Sequence, residues 1–273
     1  MSSAPTDRDY VLGTHDGEIN RLGLQHRVWR PTMLAAWQRA GLTTGAHFLD
    51  VGAGPGFATL DAAEITGPTG RVIAVERSAR FVASARERTR EHAQVSVHEV
   101  DLMQDEIPAQ EIDVAWCRWV ASFVASPAQL VQRIAAALRP GGRVVFHEYI
   151  DYASWRYLPA RPRAAEFVRE VMASWRAAGG EPDVADRLPP LLAEHGCRIV
   201  HAQPQVFCAR PADFTWQWPA AFIEVNLDRL VELKRADAAW AQAVREELRA
   251  AESDPTSLVV TPMVLELIAE KRG

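Results

Sequence analysis

The sequence predicts an α/β fold: a seven-stranded, mostly parallel sheet with helices on both faces, formed as one domain over residues 1–273. Three observations carry that prediction. The apolar run Phe48-Leu49-Asp50-Val51 breaks into Gly52-Ala53-Gly54-Pro55-Gly56 and resumes as the helix-compatible segment Phe57–Ile65. Strand-like and helix-like segments alternate from residue 46 to residue 146, the order in which a parallel sheet is laid down and covered. Acidic residues stand at or beside three successive strand ends, at Asp50, Glu76 and Asp101.

Taken in order, the chain opens with a polar stretch, Met1–Asp9, which the composition marks as frayed. Ile19, Leu22 and Trp29 then keep helical spacing, and Met33, Leu34 and Trp37 continue on one face. Pro31 between them is expected to end or kink that helix. Beyond the glycine loop, strands are expected at Arg71–Val75, Val95–Val100, Ile112–Cys117 and Arg143–His147, with helices near Phe57–Ile65, Ser78–His92 and Pro127–Leu138. Ser126 before Pro127 is a helix start, with serine as cap and proline in the first turn. After residue 150 the alternation stops. Phe167, Val168, Val171, Met172 and Trp175 form a helical stripe within 151–186. A short helix near 188–195 leads to a strand at Arg198–Phe207, residues 211–252 are helical, and Leu258–Glu270 supplies a last strand.

Composition narrows the function. The formal net charge of −5 comes without a block of one sign, which argues against a nucleic-acid partner, because such binding depends on Lys and Arg neutralising phosphates. Cys117, Cys197 and Cys208 have no metal-ligand spacing, and neither do the histidines His15, His26, His98, His195 and His201, so no metal site is expected. No apolar run reaches membrane-spanning length and Met1–Asp9 lacks a signal core, so the expectation is a cytoplasmic protein with no membrane partner.

The glycine loop is the stretch around which the rest is organised. Without Cβ atoms, a ligand can approach the backbone, whose amides and the positive end of the next helix then face it. A dinucleotide fingerprint requires a third glycine where this chain has Phe57. The pattern instead resembles the S-adenosylmethionine (SAM) loop of class I methyltransferases, an acidic residue followed by Gly-x-Gly-x-Gly. Three more elements agree with that family in order: Glu76 twenty positions after Gly56, Asp101-Leu102-Met103 after the third strand, and Leu138-Arg139-Pro140-Gly141-Gly142, similar to its helix-turn-strand signature. The likeness covers about residues 10 to 150 and is greatest to small-molecule methyltransferases of the ubiquinone/menaquinone-biosynthesis type.

The resemblance implies more than the residues show alone. It implies the Rossmann-like class I methyltransferase sheet, with strand order 3-2-1-4-5-7-6, the last strand antiparallel. It implies SAM as cofactor and S-adenosyl-L-homocysteine (SAH) as product, held by Asp50, Gly52, Ala53, Gly54, Gly56, Glu76, Arg77, Asp101, Leu102, Met103, Cys117 and Arg118. In relatives a leader like Tyr10-Val11-Leu12-Gly13 followed by Glu18 to Gln25 covers the cofactor, so Tyr10 and Gln25 become candidate contacts, although an amphipathic helix with Gln25 solvated explains the same pattern. Residues 1–40 would then be a helical lid, 41–150 the SAM-binding core, and 151–186 and 211–252 helical insertions capping the substrate.

The acceptor end is less specified. Arg118 either supports the SAM carboxylate or caps a surface loop, and Trp119 either walls the substrate or packs the core. The loop lacks the Asn/Asp-Pro-Pro-aromatic run of enzymes that methylate adenine or glutamine, and Phe123 stands where many small-molecule relatives carry a histidine. His147, Glu148 and Tyr149, at a strand's carboxyl end, are the base candidates, with Glu148 as a loop brace the plainer role. Trp155, Trp216, Trp218 and Phe222 are candidate walls for a small, aromatic or apolar metabolite. The reading is thus a SAM-dependent methyltransferase. The alternatives are a SAM-binding protein that does not methylate and, disfavoured by Phe57, a nicotinamide-dependent oxidoreductase. The acceptor atom and the oligomeric state, homodimer included, stay open.

Overall fold

The computed structural model describes residues 16–273. The main sheet holds β1 (His47–Val51), β2 (Arg71–Glu76), β3 (Val95–Glu99), β4 (Ile112–Arg118), β5 (Leu138–Asp151), β7 (Cys197–Gln205) and β10 (Met263–Lys271). Their order is β3-β2-β1-β4-β5-β10-β7, which is the expected 3-2-1-4-5-7-6 when the seven strands are counted along the chain. The first five run parallel, and β10 is antiparallel to both of its neighbours. Register follows the pleat. Phe48 and Val72 turn to one face with Val114 and Val145, whereas Leu49 and Ile73 turn to the other with Ala115 and Val144.

Helices cover both faces. On the first lie α1 (Asp16–Ala40), α2 (Phe57–Thr66) and α3 (Ala79–Arg88), and on the second α4 (Pro127–Ala137) and α6 (Leu188–Glu194). Ser78 caps α3 and Ser126 caps α4, each hydroxyl accepting the amide three residues on. The third helix ends at Arg88, four residues short of the predicted His92. Pro31 neither ends nor interrupts α1. An interior proline costs about 3 kcal/mol, but fully buried Trp29, Met33 and Trp37 on the sheet-facing stripe each return about 1.5–3 kcal/mol.

Two strand boundaries differ from the sequence reading. The fifth strand begins at Leu138 rather than Arg143, so the Pro140-Gly141-Gly142 run lies inside it, with the register shifting opposite Ile112. A Cβ on Gly142 would sit 2.4 Å from the Ile112 carbonyl oxygen, so the close approach requires glycine. The last stretch is two strands rather than one. Residues Leu258–Val260 (β9) join β6 (Arg156–Leu158) and β8 (Cys208–Ala209) in a separate three-stranded sheet, and the chain enters β10 only after Thr261-Pro262. Pro262 has no amide to donate to a ladder, which suits a change of sheet.

The segments beyond residue 150 pack on each other. Helices α5 (Pro162–Ala177), α7 (Gln217–Glu232) and α8 (Ala238–Ser253) are in mutual contact, and α7 also meets α1. Their shared core is a cluster of rings in which Trp155, Trp175, Trp216, Trp218, Phe167 and Phe222 are all buried. No helix among the described residues is long and apolar enough to cross a membrane.

Candidate active site at the carboxyl ends of the strands

The turn after β1 is shaped by its contacts. Gly52, Gly54 and Gly56 all have positive φ, at 67°, 54° and 83°. A Cβ on Gly52 would lie 2.3 Å from Val120 Cγ2, and one on Gly56 would lie 2.8 Å from Ala85, so the first and third glycines serve packing within the fold. At Gly54 a Cβ would meet nothing within 4 Å. Its open side faces a cavity of about 350 Å³ that runs along the ends of β1 to β4.

Glu76, at the end of β2, is fixed from both sides. Its Oε2 accepts the Gly54 amide at 2.9 Å and its Oε1 accepts the Ser78 amide at 2.9 Å, while burial pushes its pKa up. Asp101, after β3, turns Oδ1 to the Met103 amide at 2.9 Å and Oδ2 to the Gln104 side chain at 3.1 Å. Asp50 is buried, accepts the Thr59 hydroxyl at 2.6 Å, and is pushed up to about 6 by desolvation against the pull of Thr59 and Arg118. All three carboxylates line the cavity, with Gly52, Ala53 and Gly54 from the loop and Arg77, Leu102 and Met103 from the following turns.

Arg118, where β4 ends, closes the same cavity. Its guanidinium lies over the rings of Trp116 (5.4 Å) and Trp119 (5.2 Å) and is lowered to about 10 by burial. Among the described residues no carboxylate stands within ion-pair distance of it. Trp119 follows with φ of 52°, a strained value for a bulky residue. Neighbouring groups hold that strain. The Trp119 amide donates to the His147 carbonyl at 3.0 Å, and Glu148 accepts the amides of Val120 and Ala121 and the hydroxyl of Ser122.

Residues 49–146 match the family model described as a methyltransferase domain. The chain carries a methyltransferase domain. A demethylmenaquinone methyltransferase from Lactococcus lactis is 28% identical over 123 residues, which is 44% of this chain and 48% of that protein. Across the curated relatives it matches, the aligned part spans from 30% to 57% of their length. Among solved structures, a geranyl diphosphate C-methyltransferase from Streptomyces coelicolor superposes with a TM-score of 0.57 at 15% identity, over 90% of this chain and 77% of that one. The 4+2 cyclase SpnF superposes at 0.55 and 21%, over 89% and 81%. At such identities the two structures speak for the fold.

The methyltransferase domain brings together most of the predicted cofactor residues and leaves others aside. Tyr10 falls outside the described residues. Gln25 lines the cavity but is not solvated; it is buried, and its Oε1 accepts from Arg21 at 3.0 Å and from the Trp218 indole at 3.1 Å. Gly56 and Cys117 sit behind the wall, and burial drives the Cys117 thiol well up. His147 is buried with Nε2 on Glu266 at 3.0 Å, and desolvation lowers its pKa. Glu148 is buried under the 119–122 turn, and Tyr149 stacks on Trp119 at 5.5 Å. None of His147, Glu148 and Tyr149 lines the cavity, and neither do Trp155, Trp216, Trp218 or Phe222, which belong to the ring cluster. Trp119 alone of the candidate walls borders both, stacking on Trp218 at 5.9 Å.

Leu22, His26 and Phe57 line the cavity, although the sequence reading assigns none of them to the site. Phe57, which excluded the dinucleotide reading, stacks on His26 at 5.6 Å. A signal was present: Leu22, Gln25, His26 and Trp29 fall at i, i+3, i+4 and i+7, one face of α1. The sequence reading considers His26 for metal spacing alone, and among the described residues no cluster could hold a metal ion.

Proposed function

We propose that this chain transfers a methyl group from SAM to a small, flat or apolar acceptor. The observation that carries the reading is Glu76. Two backbone amides pin its carboxylate in the cavity wall, one of them from Gly54, whose open side leaves room for a ligand against the loop. A carboxylate so held still has lone pairs for the two hydroxyls of a ribose. The remaining lining groups fit the rest of SAM. Asp101 offers acceptor capacity to an adenine amino group, Leu102 and Met103 offer apolar flanks, and Arg118 offers an unneutralised cation to the carboxylate of the amino-acid end.

Bound there, SAM would supply an electrophilic methyl group on a sulfonium. The chain's own part is to orient the two reactants and keep water out. In this reading His147, Glu148 and Tyr149 act from behind the wall. Glu148 orders the 120–122 turn, and Tyr149 supports the face of Trp119 against which the acceptor lies.

The test has two parts. Calorimetric titration with SAH should show binding, and mass analysis of reactions with SAM and a panel of phenols, naphthols and arylamines should show a methylated product with SAH. Absence of SAH binding sinks the reading. SAM that binds and is never converted by any acceptor turns the assignment to a SAM-binding protein with other chemistry.

A further inference from the structure

Gln25, on α1, borders the cavity and is otherwise enclosed, at 8% exposure. Its side chain is held from behind by two groups. Arg21 Nη1 donates to Oε1 at 3.0 Å, and Trp218 Nε1, from α7, donates to the same oxygen at 3.1 Å. Both partners can only donate, so the atom they share is the carbonyl oxygen and the amide cannot be turned over. Each partner is itself fixed. Arg21 is clamped on Glu18, Nε to Oε2 at 2.7 Å and Nη2 to Oε1 at 2.6 Å. Trp218 packs on Trp29 at 5.2 Å and on Trp119 at 5.9 Å.

That orientation turns the amide nitrogen, Nε2, the other way. Nε2 makes no hydrogen bond among the described residues, and unlike the indole nitrogens of Trp29 and Trp119 it is not sealed by protein atoms. The open space that Gln25 borders is the cavity. We propose that Gln25 selects the methyl acceptor by donating from Nε2 to an oxygen on it. The inference rests on the methyltransferase reading above.

The surroundings define that oxygen. Trp218, which fixes the amide, stacks on Trp119, the wall against which a flat acceptor lies, so the donor stands beside that wall. Glu18 balances the charge of Arg21 behind the amide, and a neutral donor in neutral surroundings suits a neutral oxygen better than a carboxylate or phosphate. Donation to the atom that attacks the methyl group would draw on the lone pair the attack needs. The oxygen held by Gln25 is therefore a second one. The acceptor class is a flat ring that carries a carbonyl oxygen apart from the atom that is methylated.

The test uses the whole chain with SAH bound and two probes of one shape, 2-acetylnaphthalene and 2-isopropenylnaphthalene, which differ in a carbonyl oxygen against a methylene. Calorimetry first establishes that SAH binds; failure there overturns the methyltransferase reading itself. The ketone should then bind the SAH complex, and its failure to bind overturns the proposal alone. Gln25→Glu keeps both bonds behind the side chain, because a carboxylate oxygen accepts from Arg21 and Trp218 alike, but it turns the cavity-facing atom from donor to acceptor. The substitution should leave SAH affinity within about threefold and lower the ratio of ketone to alkene affinity by about tenfold or more. A glutamine that only braces Arg21 and Trp218 would leave that ratio unchanged, which overturns the proposal. A greater loss of SAH makes Gln25 a contact of the cofactor and overturns it as well. If Gln25→Glu fails to fold, the wild type decides. With ¹⁵N-labelled glutamine, the side-chain amide protons of Gln25, assigned by their proximity to the Trp218 indole, should move downfield when the ketone is added and stay in place with the alkene. No movement, or the same movement with both probes, overturns the proposal.

Discussion

Glu148 Oε1 lies 2.8 Å from the amide of Val120, and through that bond a residue wholly inside the protein sets the shape of the cavity wall. The same oxygen accepts Ala121 at 2.9 Å, and Oε2 accepts Ser122 at 2.8 Å. Val120 in turn fills the space that Gly52 leaves without a Cβ. The carboxylate, the turn and the glycine loop therefore form one mechanical unit.

Stability should fall as pH rises from the acid range toward neutrality, in part because of this group. Burial pushes Glu148 up to about 7 and Asp50 up to about 6, above ordinary carboxylate values. A raised folded-state pKa means that the folded form binds the proton more tightly. The contribution is complete below the unfolded pKa and is lost as pH climbs through the folded one. For Glu148 this is on the order of 3 kcal/mol between about pH 4.5 and pH 7. Thermal melts of Glu148→Gln should vary less with pH over that window than those of the wild type. Equal slopes would contradict the assignment.

The first two glycines of the loop should respond differently to alanine. Gly52→Ala drives a methyl group into Val120 and should cost about 1–3 kcal/mol of stability, with SAH affinity lost through the displaced turn. Gly54→Ala meets no protein atom, so its stability cost should be limited to about 1 kcal/mol from its φ of 54°. Its affinity should nevertheless fall, because the methyl group occupies ligand space. Denaturant melts beside calorimetry separate the two; full SAH affinity in Gly54→Ala would place the ligand elsewhere.

Glu76→Ala should weaken SAH by removing two charge-assisted bonds to ribose, each worth about 1.5–3 kcal/mol before water competes. Glu76→Gln should fall between, since one amide oxygen can still accept. Calorimetry at fixed pH reads both, and unchanged affinity in a folded Glu76→Ala protein would remove Glu76 from the site.

Arg118→Leu should discriminate between ligands. SAH carries a carboxylate and 5′-methylthioadenosine does not. If Arg118 receives the carboxylate, the substitution should weaken SAH by at least tenfold and leave methylthioadenosine within twofold. Equal losses for both ligands would make Arg118 a packing residue.

Trp216→Ala should behave as a core truncation, costing about 3–5 kcal/mol, because Trp216 is buried against Tyr157 at 5.5 Å. Trp119→Ala should instead change the acceptor's KM while leaving SAH affinity close to wild type. A selective acceptor effect at Trp216 with unchanged melting would overturn this division.

Much of this was legible in the sequence because it rests on local rules. The strand–glycine–helix turn, the acidic residues at successive strand ends and the serine cap at Ser126 each follow from a few adjacent residues. What was not legible depends on partners distant in the chain. Pro31 reads as a break until Trp29 and Trp37 are seen against the sheet, and Gln25 reads either as a cofactor contact or as a solvated residue until the Trp218 indole reaches it across 193 positions. Trp155, Trp216 and Trp218 read as walls because each lies outside a clear stripe, yet all three are buried in the ring cluster, Trp218 against Trp29 and Trp119. His26 and Asp61 are seen to pair only when α1 and α2 are laid side by side.

The sheet's seventh strand sets the order in which the fold can be completed. Because β10 lies between β5 and β7, β7 has no neighbour in the sheet until β10 is in place. During synthesis, the five parallel strands and their glycine loop can assemble first, with the β5 flank open and β7 in contact with α6 but unpaired in the sheet. Such an open flank invites pairing with other chains. Insertion of β10 closes two edges in one event and joins Glu266 to His147, at 3.0 Å, directly behind the cavity wall. The maturation of the wall is thus tied to the arrival of a strand that contributes nothing to its lining.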